Sequence, residues 1–230
     1  TWDIEVVPAG TTPTGTADYT GVTTNPYDAT GLNPATDYEF YVRADCGAGD
    51  LSEWTGPSAV FSTQCVTFSL PFLETFDQED TTPNCWTEGG DNAWEYDLGA
   101  GYAAQDVLDH TPGGGTFYAW MDGSDNVDGE SSTLTSPPVD VSGLAAPALK
   151  FYAFSNNTND AAINILDVEF FDGTTWNNVL TVDTLLGDDW QMFILNLTSY
   201  TITGPVQVRF TVTGAANGGS TFYNDILLDD

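Results

Sequence analysis

The sequence predicts an all-β protein made of two successive antiparallel modules. Apolar residues recur at every second position in short runs, as at Leu166, Val168 and Phe170, which is the period of a half-buried strand. These runs are bounded by Gly, Pro, Asn and Asp, the residues that favour turns. No stretch keeps apolar residues at helical spacing for more than a turn. Such a pattern is typical of sandwiches and barrels, and 230 residues suffice for two ordinary domains.

The charge balance is strongly acidic, with three basic residues against 34 acidic ones and a net charge of −31. Binding to phosphate requires clustered Lys and Arg, so we expect no nucleic-acid partner and no attraction to anionic membranes. Polyanionic glycans are disfavoured for the same reason, unless a cation bridges them. The acids either keep the protein soluble in a salty medium or include ligands of divalent cations, and these two interpretations are compatible.

The compartment is predicted to be extracellular or at the cell surface. Three cysteines in a chain with almost no other redox chemistry indicate an oxidising environment. No apolar run reaches membrane-spanning length, so we expect no membrane insertion, and the sequence shows no signal peptide. The chain begins abruptly and ends at Asp230 within what reads as a strand. We therefore interpret it as part of a longer polypeptide, whose upstream and downstream parts are expected partners.

The first module, residues 1–64, carries its strongest signal in a Leu-x-Pro-x-Thr-x-Tyr run from Leu32 to Tyr38. Turn residues here lead into a strand in which Tyr38, Phe40 and Val42 share one face. This run resembles the fibronectin type III family. The resemblance implies that Tyr38 is a corner tyrosine, whose hydroxyl bonds to nearby backbone.

The same resemblance assigns the strands of the first module. It implies strand F at 38–45, strand G at 58–64 and strand C at 2–7, with the first two strands of the family preceding residue 1. We therefore expect a partial fibronectin-type-III, immunoglobulin-like sandwich. Modules of this kind act as spacers or, less often, present a binding surface.

The second module, residues 65–230, contains a series of short motifs in a fixed order. They are Phe72-Leu-Glu74-Thr-Phe76, Asp91-Asn-Ala-Trp94, Asp109-His110-Thr111, Ser136-Pro137 and Asn224-Asp225-Ile-Leu-Leu-Asp229-Asp230. In this order they resemble the MAM domain family, in the form found beside fibronectin modules in secreted multidomain bacterial proteins. The resemblance implies a MAM-like jelly-roll β-sandwich. The animal form has more cysteines, so its disulfide scheme does not transfer whole.

Enzyme activity is not expected, because the residues that it requires are scarce. His110 is the single histidine, and any Ser-His-Asp or Cys-His system would have to use it. Its Asp-His-Thr context favours a turn in which the imidazole fixes the backbone. Asp167 and Glu169 share one strand face and offer a carboxylate pair for glycoside hydrolysis, but an acid-rich chain produces such pairs by chance.

A structural calcium ion is predicted, since hard cations prefer several oxygen ligands. The MAM resemblance nominates Glu74, Asp91 and Asp229 as its ligands, with Asp77 and Asp230 as second choices. Such an ion would tie the first strand of the sandwich to the last. The alternative is that these residues are ordinary solvated acids near strand ends.

The tryptophans divide into expected core residues and candidate ligand-binding residues. Those in apolar or family-matching positions are expected in the core: Trp86, Trp94, Trp120 and Trp190. Trp54, in a loop, and Trp176, in a turn, are expected to be more exposed, and a flat exposed ring can stack on a sugar. With Asp167 and Glu169 they form the candidate ligand-binding set.

The predicted strands exclude one of the possible cysteine pairings. Cys46 and Cys65 lie at opposite ends of the predicted F–G hairpin, about 25 Å apart, whereas a disulfide tolerates about 7 Å between Cα atoms. Cys65 and Cys85 flank the entrance to the second module and are the candidate disulfide. Cys46 would then bond to an upstream cysteine or stay free.

The function predicted from these observations is a non-catalytic adhesion or binding segment of a large secreted or cell-surface bacterial protein. Its partner would be a glycan or a cell-surface protein. Two alternatives remain open: an accessory region of an extracellular protease or polysaccharide-degrading enzyme, and a structural unit of a cell-surface filament.

Overall fold

The fold is all-β, as the sequence predicts, with antiparallel sheets and two three-residue 3₁₀ helices, Tyr102–Ala104 and Thr221–Tyr223, in the part of the chain described. The chain forms two compact units, Thr1–Val66 and Thr67–Asp230, so the division falls two residues after the predicted one. A computed structural model describes residues 1–111, 116–125, 128–159, 161–215 and 220–230.

The first unit is a single five-stranded antiparallel sheet. Its strands are β1 (Trp2–Pro8), β2 (Tyr19–Val22), β3 (Asp37–Gly47), β4 (Asp50–Leu51) and β5 (Phe61–Ser62). The long strand β3 pairs with β1 along seven residues and also pairs with β4 and β5. The predicted strand at 58–64 is shorter than expected. The segment before β5 makes isolated hydrogen bonds to β3, such as that from Ser58 N to Phe40 O, and Pro57 has no N–H to donate, so no continuous ladder forms there.

Tyr38 occupies the corner position that the fibronectin resemblance implies. Its side chain is buried at the start of β3, and its ring stacks on Phe61 with centroids 6.0 Å apart. The backbone N–H of Asn33 donates to the Tyr38 hydroxyl at 3.0 Å. The hydroxyl thus holds the turn that leads into β3.

The second unit contains two five-stranded antiparallel sheets. The first sheet has the order β13-β10-β15-β8-β7, and the second has the order β12-β11-β14-β9-β6. Their bounds are β6 (Thr87–Gly90), β7 (Glu95–Asp97), β8 (Tyr118–Met121), β9 (Ser131–Thr135), β10 (Ala148–Ser155), β11 (Ile165–Phe171), β12 (Trp176–Val182), β13 (Gln191–Asn196), β14 (Gln207–Thr213) and β15 (Ile226–Asp229).

The core of the second unit lies between these two sheets, which makes it a β-sandwich. Phe151 from the first sheet meets Phe210 from the second in a T-shaped contact with centroids 5.2 Å apart. In β11, Leu166, Val168 and Phe170 are at most 1% exposed, while the residues between them are partly exposed. The alternation read from the sequence therefore assigns the two faces of this strand correctly.

The outer faces of the two sheets differ. On the first sheet, Tyr118, Trp120 and Leu227 are buried against Ala100 and Ala104, which belong to the segment after β7. On the second sheet, the outward side chains of β11 and β14 are partly exposed. The second sheet therefore offers the more polar and accessible surface.

The cysteines form one disulfide. Cys65 and Cys85 are both disulfide-bonded, and Cys46, the third cysteine, is free and exposed in β3. Within the described residues, no helix has the length and apolar character to cross a membrane.

Candidate functional site

The outward side chains at the centre of the second sheet form the candidate site, here called the polar face. Glu169 in β11 lies opposite Arg209 of β14 on one side and Asn178 of β12 on the other. Side chains alternate along a strand, so Asp167 shares the outer face with Glu169. The polar face is defined as Asp167, Glu169, Trp176, Asn178 and Arg209.

Arg209 and Trp176 form the centre of the polar face. The Nε of Arg209 is 2.6 Å from Oε2 of Glu169, and its guanidinium carbon lies 4.3 Å from the centroid of the Trp176 ring. Phe171 contacts the same indole with centroids 5.3 Å apart. The guanidinium is thus attracted both by a carboxylate and by the ring quadrupole, and the two contacts fix its plane.

Asp167 is held by donors from β12. The Nδ2 of Asn178 donates to its Oδ1 at 2.9 Å, and the hydroxyl of Thr181 donates to the same oxygen. The structure therefore brings together three residues of the predicted ligand-binding set, Asp167, Glu169 and Trp176. It adds Arg209 and Asn178, whose role depends on strand pairing and has no local sequence signal.

This arrangement has the chemistry of a site for polyhydroxylated ligands. Carboxylate, amide and guanidinium groups supply planar acceptors and donors, and an aromatic ring supplies an apolar surface beside them. Their orientations are fixed by contacts among themselves before a ligand arrives. Such prior ordering lowers the entropic cost of binding.

Trp54, the remaining member of the predicted set, lies in the first unit and so is not part of the polar face. Its ring centroid is 4.5 Å from the guanidinium carbon of Arg43. Arg43 in turn pairs with Asp3, the Nη2 to Oδ2 distance being 2.9 Å. Trp2 is the tryptophan that sequence reasoning missed, since it is 52% exposed at the start of β1.

The tryptophans predicted to lie in the core are mostly buried. Trp86, Trp94 and Trp120 are buried in the second unit. Trp190 is partly exposed and packs against the outer face of the first sheet, where its Nε1 donates to Leu108 O at 2.9 Å. Its position differs from the prediction because that face is covered by a loop rather than by a second sheet.

Glu74, the first predicted calcium ligand, is engaged by N–H donors. Its Oε1 accepts from the backbone of Thr75 and Phe76, each at 3.1 Å, and its Oε2 accepts from Trp86 Nε1 at 3.0 Å. Burial raises the pKa of this carboxyl. Both oxygens therefore already have partners in the protein.

The other two predicted ligands lie in different local settings. Asp91 Oδ2 accepts from Ser131 N at 2.9 Å, next to β9. Asp229, at the end of β15, accepts from the backbone of His110 at 2.8 Å and of Asp230 at 2.9 Å. Desolvation by burial raises the Asp229 pKa to about 7.

The assignment of Glu74, Asp91 and Asp229 as ligands of one calcium ion stays a prediction. Among the residues that the structure describes, the set of three acidic side chains with oxygens within 4.8 Å of one another is Glu95, Asp122 and Asp125. The second-choice residues are also engaged, Asp77 by Thr116 N at 2.6 Å and Asp230 by His110. Calcium binding itself stays a prediction, and Glu95, Asp122 and Asp125 are the residues that could hold the ion.

His110 ties its loop to the last strand. Its Nδ1 is 2.7 Å from Asp230 Oδ2, and its ring stacks on Tyr152 with centroids 3.5 Å apart. Together with the backbone bond to Asp229, these contacts fix the turn around residue 110. This is the structural role that the Asp-His-Thr context indicates.

Comparison with known proteins adds likenesses at the level of solved structures. No family model matches the sequence, and no curated protein matches it. The structure of TmCBM61 in complex with β-1,4-galactotriose is 17% identical, covering 68% of this chain and 90% of its own, with a TM-score of 0.44. A structure of carbohydrate-binding modules from the β-sandwich superfamily is 15% identical, covering 100% of this chain and 83% of its own, with a TM-score of 0.40.

A further similar structure is a variant of CBM29-2, a family 29 carbohydrate-binding module, complexed with mannohexaose. It is 12% identical, covers 66% of this chain and 84% of its own, and has a TM-score of 0.36. At these identities and TM-scores the likenesses carry no inference of function.

Proposed function

We propose that this chain is a non-catalytic carbohydrate-binding segment of a larger secreted or cell-surface protein, and that its glycan binds on the polar face. The observation that carries the proposal is the contact of Trp176 with the Arg209–Glu169 ion pair on the outer side of the second sheet. The Arg209 guanidinium lies over the Trp176 ring, so a pyranose would place its apolar C–H surface on the part of the indole that the guanidinium leaves open and direct its hydroxyl groups to the planar polar groups beside it.

The charge on the polar face favours neutral glycans. Asp167 and Glu169 contribute two carboxylates, against the single guanidinium of Arg209, and the whole chain carries −31. A sulfated or uronic-acid glycan would therefore approach against a repulsive field. Neutral hexose polymers avoid this cost while keeping the hydrogen bonds.

We propose a spacer role for the first unit and assign it to the fibronectin type III family. The Tyr38 corner and the pairing of β1 with β3 support this assignment. For the second unit we propose a MAM-like domain, supported by its two-sheet sandwich and the ordered motifs. The Cys65–Cys85 disulfide is consistent with a secreted protein, because such bonds persist in oxidising environments.

A glycan array with the 230-residue chain tests the proposed function. We expect binding to one class of neutral glycans and loss of that binding in Trp176→Ala. The matched control is Trp2→Ala, since Trp2 is also partly exposed but lies in the first unit. A chain that binds only anionic glycans, or that binds equally well without the Trp176 ring, would contradict the proposal.

A cell-surface protein is the second candidate partner. Strand β13 lies at the edge of the first sheet, and its Met192 and Ile194 side chains are exposed. The six residues of β13 include no charge, whereas natural edge strands are commonly protected by charged side chains. Pull-down from cell-surface extract with the chain and with Ile194→Lys distinguishes this contact from glycan binding.

A further inference from the structure

The outer surface of the second sheet carries polar side chains beyond the polar face, across the whole width of the sheet. One row of directly paired residues crosses all five strands and consists of Asn178, Glu169, Arg209, Thr135 and Thr87. A second, adjacent row consists of Thr181, Asp167, Thr211, Thr133 and Gly89. Directly paired residues share one face of a sheet, so both rows lie on the outer side. Apart from Gly89, every position in the two rows has a polar side chain.

Threonines make up the part of these rows on β14, β9 and β6, apart from Arg209 and Gly89. They are here called the threonine surface: Thr87, Thr133, Thr135 and Thr211. Thr87 is exposed and the other three are partly exposed. The residues between them in β9 and β14 point inward, where Leu134 and Val212 are completely buried. Because its side chains are short and uncharged, the threonine surface is a shallow continuation of the polar face.

The hydroxyl groups of the threonine surface are available to a ligand. Within the described ranges of the chain, none of these four hydroxyls makes a hydrogen bond to another protein group. Other threonine hydroxyls near the polar face are engaged, since Thr181 donates to Asp167 and Thr174 donates to Asp172. A threonine hydroxyl is both a donor and an acceptor, so it can pair with a sugar hydroxyl in either direction.

The dimensions of the two rows decide which ligand can use them. Trp176 in β12 and Thr135 in β9 are three strands apart, which is about 14 Å because neighbouring strands lie about 4.8 Å apart. A single sugar ring on Trp176 is too short to reach the threonine surface. Along β11 the two rows are bordered on the outer face by the apolar side chains of Ile165 and Phe171. A ligand that contacts both Trp176 and the threonine surface must therefore be a chain that crosses the strands.

We propose that the threonine surface extends the glycan site, so that this protein binds a linear neutral oligosaccharide of several sugars lying across the second sheet, and not a single terminal sugar. Trp176 and the Arg209–Glu169 ion pair bind one part of the ligand. The threonine hydroxyls bind the sugars that follow it. This inference rests on the proposed function and names the class of glycan that the site takes.

Calorimetric titration of the 230-residue chain tests the dependence of affinity on ligand length. The probes are β-1,4-linked oligomers of glucose, mannose and galactose, each with two, four and six sugars. For the series that binds, we expect the tetrasaccharide to bind at least 10-fold more tightly than the disaccharide, and the hexasaccharide less than 3-fold more tightly again. Equal affinity for the disaccharide and the tetrasaccharide would overturn the inference and leave the proposed function intact. If none of the three series binds, the inference fails, and the glycan array decides the proposed function separately.

A double variant, Thr133→Val with Thr135→Val, locates the extension because it removes two hydroxyls and keeps the branched side-chain shape. We expect it to weaken tetrasaccharide binding at least 5-fold and to leave disaccharide binding unchanged, whereas Trp176→Ala should lose both. Thr20→Val is the matched control, since Thr20 is an exposed strand threonine of the first unit, and it should change neither affinity. Melting temperatures establish that each variant is folded. Unchanged tetrasaccharide affinity in the folded double variant would show that the threonine surface does not contact the ligand.

Discussion

Arg209 stacks on Trp176 with its guanidinium carbon 4.3 Å from the ring centroid, and the same arrangement recurs in the first unit, where Arg43 lies 4.5 Å from Trp54. Each arginine also pairs with a carboxylate directly across the neighbouring antiparallel strand. Two of the three basic residues in a chain of charge −31 therefore serve to join an acid to an indole. Arginine suits this role because its planar fork satisfies both partners at once.

Replacing Arg209 by lysine tests the role of this stacking. Arg209→Lys keeps the charge but loses the planar group over Trp176, so we expect glycan affinity to fall about 10-fold, or about 1.4 kcal/mol. The free energy of unfolding should fall by about 1 kcal/mol. Arg43→Lys is the matched control, expected to cost similar stability while leaving glycan affinity unchanged. Calorimetric titration and urea unfolding supply the two measurements, and equal affinity for both variants would show that Arg209 does not act at the glycan site.

The stability of the second unit depends on the aromatic contact between its sheets. Phe151 is buried and meets Phe193 and Phe210, so Phe151→Ala should lower the free energy of unfolding by about 4 kcal/mol. Phe222→Ala removes an exposed ring and should cost less than about 1 kcal/mol. Similar losses for the two variants in chemical denaturation would argue against the sandwich core described above.

Asp229 should make the protein less stable as the pH rises toward neutrality. Burial, assisted by the charges of Asp109 and Asp230, raises its pKa to about 7, whereas the unfolded carboxyl has a pKa of about 3.9. Between about pH 4 and 7 the folded state therefore holds a proton that the unfolded state has released, and the free energy of unfolding falls as pH increases. Asp225, with a pKa raised to about 6, acts in the same direction.

Asp229→Asn should weaken this pH dependence, because the amide cannot ionise, although it keeps an acceptor for only one of the two backbone N–H groups that bond to Asp229. We expect the variant to gain on the order of 2 kcal/mol relative to the parent at pH 8, and little at pH 4. Thermal unfolding across this range measures the difference. A parallel shift of both proteins with pH would mean that Asp229 does not titrate in this window.

If the protein binds calcium, its melting temperature should rise when the ion is added and fall when a chelator removes it. Burial and the surrounding carboxylates raise the pKa of Glu95, and a cation between Glu95, Asp122 and Asp125 would relieve that repulsion. Glu95→Gln should abolish the calcium-dependent shift, while Glu74→Gln should retain it. An unfolding transition that is unchanged by chelator would refute calcium binding. If Glu74→Gln abolished the shift and Glu95→Gln retained it, the ion would bind at the site nominated from the sequence.

Reduction of the disulfide should destabilise the protein, because the bond between Cys65 and Cys85 restricts the unfolded chain. A loop of this length corresponds to about 3 kcal/mol. The double replacement Cys65→Ser and Cys85→Ser should reproduce the effect of reductant, whereas Cys46→Ser should leave stability unchanged, since Cys46 is free. A loss of stability in Cys46→Ser would instead assign it a structural contact.

The sequence predicts the parts of this protein that depend on local pattern. Alternation in β11 separates the buried face of Val168 from the outer face of Glu169, and the Leu-x-Pro-x-Thr-x-Tyr run locates the Tyr38 corner. Both signals lie within one strand or one turn. The position of these residues can therefore be predicted without knowing which strands are neighbours in the sheet.

The parts that the sequence did not predict depend on which strands become neighbours. Arg209 reaches Trp176 because β14 and β12 both pair with β11, a relationship between residues more than thirty positions apart. The acidic group around Glu95 is likewise assembled from separate segments. The MAM resemblance nominates Glu74 and Asp229 as calcium ligands, and the structure adds the N–H donors that each carboxylate accepts from, Phe76 and His110, which no local sequence signal indicates.

The unequal outer surfaces of the sandwich give the second unit a front and a back. The polar face is the front, and the first sheet, with its covering loop and the exposed Met192 on an edge strand, is the back. A single label attached through Met192→Cys, in a chain also carrying Cys46→Ser, would anchor the second unit to a sensor surface through its first sheet, on the side opposite the polar face. The amount of glycan captured by such a surface would then depend on the site of attachment as well as on the affinity of the polar face.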